Sequence, residues 1–140
     1  KLLDLKLRVV LPSDWDFILD LRNKFYSNFY EQKQPLQKNE HYAYMEKQKL
    51  NLNFHHWIIE NDIISIGYVR ILDNDIGIMI DDKYQNKGFA SKALFIAEKE
   101  AKKLGVTKLI ALVKIENKSS NKIFEKNNFK HVMSWLEKEI

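Results

Sequence analysis

The stretch from Asp75 to Leu104 limits most what this chain can fold into, because its hydrophobic period changes once, across a six-residue loop. Asp75-Ile76-Gly77-Ile78-Met79-Ile80-Asp81 carries β-branched residues at every second position and runs into Asp81-Asp82-Lys83, the pattern of a buried strand followed by a turn. From Ala90 the spacing becomes four and three. Ala90, Leu94, Ala97, Ala101 and Leu104 line one side of a helix, and Gly105 stands where a C-terminal cap belongs. A strand that feeds a helix in this way marks an α/β chain.

Between strand and helix lies Gln85-Asn86-Lys87-Gly88-Phe89-Ala90. Helix-start amides have no intrahelical partner and sit at the positive end of the macrodipole, so such a loop is a natural anion site. Gly88 lets the backbone come close. One such interaction contributes only about 0.3–1 kcal/mol at an exposed site. Several amides plus Lys87 are therefore needed to hold phosphate, and a diphosphate uses them better than a single carboxylate. The plainer alternative is an ordinary strand-to-helix turn. Neither Gly-x-x-x-x-Gly-Lys-Ser/Thr nor Gly-x-Gly-x-x-Gly occurs, which excludes two standard nucleotide loops.

With 140 residues, 45% of them hydrophobic, the chain is expected to form a single domain over residues 1–140. The absence of cysteine removes disulfides and thiol nucleophiles from consideration, and His41, His55, His56 and His131 show no metal-ligand spacing. No apolar run approaches the ~20 residues of a membrane span, and the beginning of the sequence lacks a signal-peptide pattern, so a cytoplasmic location is expected. Net charge is +4, carried by 20 lysines and three arginines with acidic residues interspersed. That pattern argues against nucleic acid as partner, which calls for a basic stripe with aromatic or arginine readers. It suits steering of a polyanionic cofactor.

The rest of the chain reads as strand, two helices and three strands before the loop, then strand, helix and strand after its helix. Leu5 to Leu11 is the first strand; Ser13 with Asp16 predicts a variant capping box for a helix to about Lys24. Asn39 is the expected cap of a second helix, from Glu40 to about Leu50. Phe54–Glu60 and Ile63–Leu72 are strands split by the turn pair Asn61-Asp62, and Asp73-Asn74 marks the next turn. The continuous apolar run within Lys108 to Ile115 predicts a strand buried on both faces and parallel to Asp75–Asp81. Asn117 or Ser119 starts a last helix to about Asn127, and Phe129 to Trp135 is a final strand.

Gln85-Asn86-Lys87-Gly88-Phe89-Ala90 resembles the Gln/Arg-x-x-Gly-x-Gly/Ala signature of the GNAT superfamily of N-acetyltransferases, whose loop binds the pyrophosphate of acetyl-coenzyme A. The match extends through Ile78-Met79-Ile80-Asp81 before the loop. After it come Asn117 and Phe124-Glu125-Lys126-Asn127-Asn128-Phe129, where the family reads Asn, seven residues to Tyr, then Glu-x-x-Gly-Phe. The resemblance implies a three-layer α/β fold with a mixed central sheet of six to seven strands and about four helices. It also implies acetyl-CoA as acyl-donor cosubstrate and direct acetyl transfer to a primary amine, while no metal and no membrane are expected from the histidine spacing and apolar runs above. A homodimer is left open.

In the family, two strands splay apart to admit the pantetheine arm. Here the backbone of Ile78, Met79 and Ile80 would line that gap, the amides of Gln85, Asn86, Lys87, Gly88, Phe89 and Ala90 would hold the pyrophosphate, and Asn117 would touch the cofactor; its alternative role is a helix cap. Phe124 stands where the family places a tyrosine general acid and has no proton to give, so water or Ser120 would substitute. A glutamate base of ribosomal-protein alanine N-acetyltransferases falls at Leu112. For the base, Asp75 aligns with an acidic residue of polyamine and nucleotide-sugar acetyltransferases, the alternative being a solvated strand-end carboxylate. Glu60 and His41 are weaker candidates.

Arg22-Asn23 and His41 also resemble the pattern of enzymes acting on nucleotide-linked amino sugars. Tyr26, Phe29, Tyr30 and Tyr44 fall where the family builds its acceptor groove, though each could equally serve the core. The expected activity is that of an acyltransferase acting on a small-molecule amine, with a nucleotide-linked amino sugar as the sharpest case. The alternatives are a peptide or protein N-terminal acetyltransferase, and a catalytically weak acyl-CoA-binding module.

Overall fold

The computed structural model describes residues 4–29 and 32–140. Four strands form one antiparallel sheet in the order β1 (Leu5–Val9), β2 (Phe54–Asn61), β3 (Ile64–Leu72), β4 (Asp75–Ile80). The two tight turns fall where the sequence places them: Asp62 and Asp73 take positive φ (58° and 57°), a conformation that short polar side chains tolerate. In β2 and β3, Ile59 pairs with Gly67 and Glu60 with Ser65, so Ile66 is an inserted residue. This bulge turns Ile66 to the same side of the sheet as Val69.

Four helices cover the two faces: α1 (Trp15–Lys24), α2 (Lys38–Gln48), α3 (Phe89–Lys103) and α4 (Lys118–Lys126). On one face α3 buries Phe89, Ala93, Leu94, Ala97 and Ala101 against Ile59, Ile66, Val69, Ile71, Ile76 and Ile80. Its alanines let the helix lie close to the sheet, and fully burying a residue such as Leu94 contributes about 1.5–3 kcal/mol. On the other face Trp15, Ile18 and Leu21 of α1 and Met45 of α2 meet Ile58, Tyr68 and Met79. Gly105, at φ +87°, ends α3 as expected, but Leu104 is 52% exposed and does not belong to the buried stripe.

The helix starts differ in detail. Pro12–Asp14 is a short 3-10 turn, and Asp14 accepts from the Leu11 amide (2.7 Å) in place of the expected Ser13/Asp16 box. For α2 the cap is not Asn39; Glu40 reaches back to the Gln37 amide (3.0 Å), and the helix begins at Lys38.

The larger correction concerns the sheet, which has four antiparallel strands among the described residues rather than six or seven in a mixed arrangement. Residues 108–115 touch β4 at a single parallel bridge between Asp75 and Ile110, where Ile76 donates to Ile110 O (2.9 Å) and Ile110 donates to Asn74 O (2.7 Å). No ladder follows. Leu109, Ala111 and Val113 pack on the core, while Ile110, Leu112 and Ile115 are 43%, 67% and 88% exposed, so the run is buried on one face only. Residues 129–135 also form no strand. Beyond Phe129, Val132, Met133 and Trp135 are exposed, because the segment that would offer them a partner edge is itself unpaired along most of its length.

Candidate functional site: a splayed strand pair under an open helix start

The single bridge at Ile110 makes a wedge. Because amides alternate along a strand and Ile76 points toward Ile110, Ile78 also turns its backbone groups to the open side, whereas Met79 pairs with Tyr68 of β3. Of the three residues expected to line the gap, Ile78 therefore presents its amide and carbonyl to it. Ile80 O, at the wide end, accepts from Gln85 Nε2 (2.9 Å), so Gln85 fixes the loop to the strand.

At that end the backbone forms an open cradle. Asn86 (φ 60°) and Gly88 (φ 83°) are left-handed, the alternation that lines up successive N–H groups as an anion-binding nest. The first α3 bond runs from Lys92 to Gly88 O (3.2 Å), and no side chain caps the helix. The amides of Asn86, Lys87, Gly88, Phe89, Ala90 and Ser91 thus have no hydrogen-bond partner among the described residues. Phe89 is buried in the core and anchors the turn, while Lys87 is exposed and forms no ion pair with any described residue.

Two long-range contacts frame the mouth. Lys24, at the end of α1, pairs with Asp81 (3.2 Å) and Asp82 (3.4 Å) just beyond β4, which holds the lysine pKa above its usual value. Across the wedge, Lys114 donates to Ser27 O (2.6 Å). A cavity of about 400 Å³ lies there, lined by Ser27, Asn28, Lys114 and residues 116–119, Asn117 among them. Asn117 Oδ1 accepts from the Ser120 amide (3.2 Å), so Asn117 caps α4 and also borders this cavity. Ser120 is half-buried beside it. Phe124 is 7% exposed and packs edge-on to Phe129 (centroids 5.0 Å apart), leaving little surface for a ligand.

The face of the sheet under α1 and α2 carries the polar side chains. Asp75 sits at the apex of the wedge, its carboxylate 3.5 Å from the Arg70 guanidinium, which also donates to Asp75 O (3.0 Å). Gly77 leaves room for that guanidinium, since a Cβ there would lie 3.4 Å from Arg70 Cζ. Arg22 of α1 lies over the Tyr44 ring at 5.4 Å and feels Tyr68 and Arg70. Tyr68 Oη is 2.9 Å from His56 Nδ1; burial pushes the imidazole down to about 4 and raises the tyrosine.

The other expected site residues are placed elsewhere. His41 is fully buried; its Nε2 donates to Trp15 O (2.9 Å), pinning α2 to α1, and desolvation lowers its pKa. Glu60 lies two strands from β4 and accepts from Arg8 (2.8 Å), which also forks onto Asp14 and so holds the Asp14 pKa down. Phe29 and Tyr44 pack on the second core, Tyr26 is half-buried in a 3-10 turn, and Tyr30 falls outside the described residues. The roles of Arg70, Lys24 and Lys114 are absent from the sequence reading. One signal was available: a chain with 20 lysines keeps only three arginines, and Arg8, Arg22 and Arg70 all occupy half-buried positions.

A three-layer α/β domain whose sheet opens beside an uncapped helix start is the architecture of a protein that takes an extended ligand with a polyanionic head. Comparison with known proteins agrees. The family model described as "Acetyltransferase (GNAT) domain" matches residues 4–130, and the chain belongs to that family. It is an acyltransferase, an acetyl-CoA-dependent N-acetyltransferase of the GNAT type.

Among solved structures it is similar to a domain from Methanocaldococcus jannaschii (28% identity over 95% of this chain and 92% of that one, TM-score 0.82). It is also similar to an N-acetyltransferase from Staphylococcus aureus Mu50 (26%, 92% and 85%, 0.78). A spermidine N-acetyltransferase from Vibrio cholerae, solved with CoA and spermine, shares the fold (22%, 88% and 79%, 0.76). A search of curated proteins finds no match. Among the described residues no helix is long and apolar enough to cross a membrane, and no group of three or more His, Asp or Glu is placed to hold a metal.

Proposed function

We propose that the chain transfers acetyl from acetyl-CoA directly to the primary amine of a small molecule, with a nucleotide-linked amino sugar as the finest reading. The observation that carries it is the wedge between β4 and residues 108–115, opening onto six amides without a partner among the described residues. These amides and Lys87 would hold the diphosphate, and the pantetheine arm would lie along Ile78 as a substitute strand.

The lengths match. From Ile80 back to Asp75 is five residues, ~16 Å at the usual strand rise. The arm is worth roughly four residues of extended chain, ~14 Å. An arm starting at Ile80 would bring the thioester carbon beside Gly77 and Asp75. Asp75, held by Arg70, is the proposed base: it takes a proton from the ammonium, the free amine attacks the thioester carbon, the C–N bond forms, the C–S bond breaks, CoA leaves as thiolate and the nitrogen's second proton passes to water. A thiol of pKa ~8.5 leaves tolerably without an acid, which suits phenylalanine at position 124. Asn117 would steady the arm at the mouth, with Ser120 or water supplying the thiolate's proton.

The face above Gly77 is covered by the Arg70 guanidinium and by α1, which favours a small acceptor over a protein terminus. Incubation with acetyl-CoA and panels of amino sugars, polyamines and peptides, followed by free thiol, tests the assignment. Thiol release with an amine and a product heavier by one acetyl group supports it. Cofactor binding without turnover on any panel would leave an acyl-CoA-binding module instead.

A further inference from the structure

We propose that Arg22 anchors an anionic group, phosphate or carboxylate, borne by the amine acceptor, so that the enzyme prefers acidic amines over polyamines. The inference rests on the acceptor site placed above Gly77 and Asp75, and it starts from the three arginines. Arg8 is bonded to Asp14 and Glu60 at 2.8–2.9 Å, and Arg70 is held by Asp75. Arg22 is as half-buried as the other two, yet no carboxylate or other hydrogen-bond acceptor among the described residues meets it. Its guanidinium lies over the face of Tyr44 instead.

A guanidinium has five donors, and withdrawing it from water without acceptors is unfavourable. Burial is indeed the main influence on Arg22, pulling its pKa below the usual arginine value, and Arg70 beside it adds a like charge. What would relieve both effects is an anion. With Cζ 5.4 Å from the Tyr44 ring centroid and no acceptor on its donors among the described residues, the fork suits two-point contact with phosphate or carboxylate.

The location fits an acceptor. Arg22 projects from α1, which packs across β3 and β4, and it is electrostatically coupled to Tyr68 and Arg70, the partners of Met79 and Gly77. An amine placed by Asp75 with its anion on Arg22 is held at both ends. A polyamine, whose far end is cationic, would instead bring a second positive charge to the Arg22 and Arg70 guanidiniums.

The test separates this claim from the functional reading. The full chain is first saturated with CoA, filling the loop amides, and then titrated with inorganic phosphate, pyrophosphate and acetate by calorimetry. Wild type is expected to bind at least one probe saturably. Arg22→Gln should weaken that binding about tenfold or more while CoA affinity stays unchanged, and Arg22→Lys should be intermediate. In turnover, glucosamine 6-phosphate should exceed both glucosamine and spermine in kcat/KM by about tenfold, and Arg22→Gln should erase that preference.

Absence of any saturable probe, or equal binding by Arg22→Gln, overturns the proposal, as does a spermine preference that the variant leaves intact. If Arg22→Gln fails to fold, Arg22→Lys carries the comparison. Failure of CoA itself to bind would instead sink the transferase reading. Gly88→Asp would then stand in for CoA saturation, so that Arg22 is still judged on the anions alone.

Discussion

The cradle at the start of α3 is tested most sharply by a pair of substitutions at Gly88. Its φ of 83° is left-handed, and an L side chain there strains the backbone by roughly 1–2 kcal/mol. Gly88→Ala introduces that strain without charge. Gly88→Asp adds a carboxylate beside the phosphates; two unit charges roughly 5 Å apart at an effective dielectric of ~20 repel by about 3 kcal/mol. CoA should therefore bind Gly88→Asp about 100-fold more weakly than Gly88→Ala, although thermal unfolding puts the two at similar stability. Titration calorimetry with CoA reads the difference. In about 1 M salt, with a Debye length of ~3 Å, the gap should narrow. Equal affinities for the two variants would refute the assignment of the diphosphate to these amides.

Asp75→Asn should lower kcat by at least about tenfold while leaving the KM for acetyl-CoA within about twofold, as steady-state kinetics will show; equal losses would count against a base. Since the Arg70–Asp75 pair is about one-third exposed, the same variant should lose under ~1 kcal/mol in urea unfolding. Asn117→Ala should destabilise by ~1 kcal/mol through loss of the α4 cap and weaken CoA binding as well, whereas a stability loss alone would leave Asn117 a cap only. Burial depresses the His56 pKa to about 4, so between the unfolded value near 6.5 and about 4 the unfolded chain binds more protons. Stability should then be full above pH ~6.5 and fall toward pH 4; His56→Gln should flatten, without abolishing, that slope, because His41 is shifted in the same direction. Gly67→Val should destabilise sharply, its Cβ driving into the backbone oxygen of Met79.

What the sequence conveyed depended on how local the physics was. The β2–β3–β4 meander was legible because Asp62 and Asp73 announce turns that only a few residues make cheaply. The loop was legible because a strand period, a glycine and a helix period adjoin in one stretch. Residues 108–115 and 129–135 carry strand-like composition too, but a strand exists only where a neighbour offers a ladder, and composition does not name the neighbour. Leu104 kept the helical spacing yet lies where α3 has passed the edge of the core. His41 looked like a site residue since its pairing partner, the Trp15 carbonyl, lies 26 positions away. The Lys24–Asp81 and Lys114–Ser27 ties span 57 and 87 positions, so nothing along the chain marks them except their effect on the mouth.

The bare outer margin of β4 has a consequence for handling and for the cell. The Ile78 amide and carbonyl, open among the described residues and close to exposed Ile110 and Leu112, are an invitation to any other extended polypeptide. An arm of the acyl donor laid along Ile78 would stopper that margin as well as deliver its cargo. Starved of donor, the protein should drift toward aggregates, and a modest excess of CoA in the buffer should keep it dispersed.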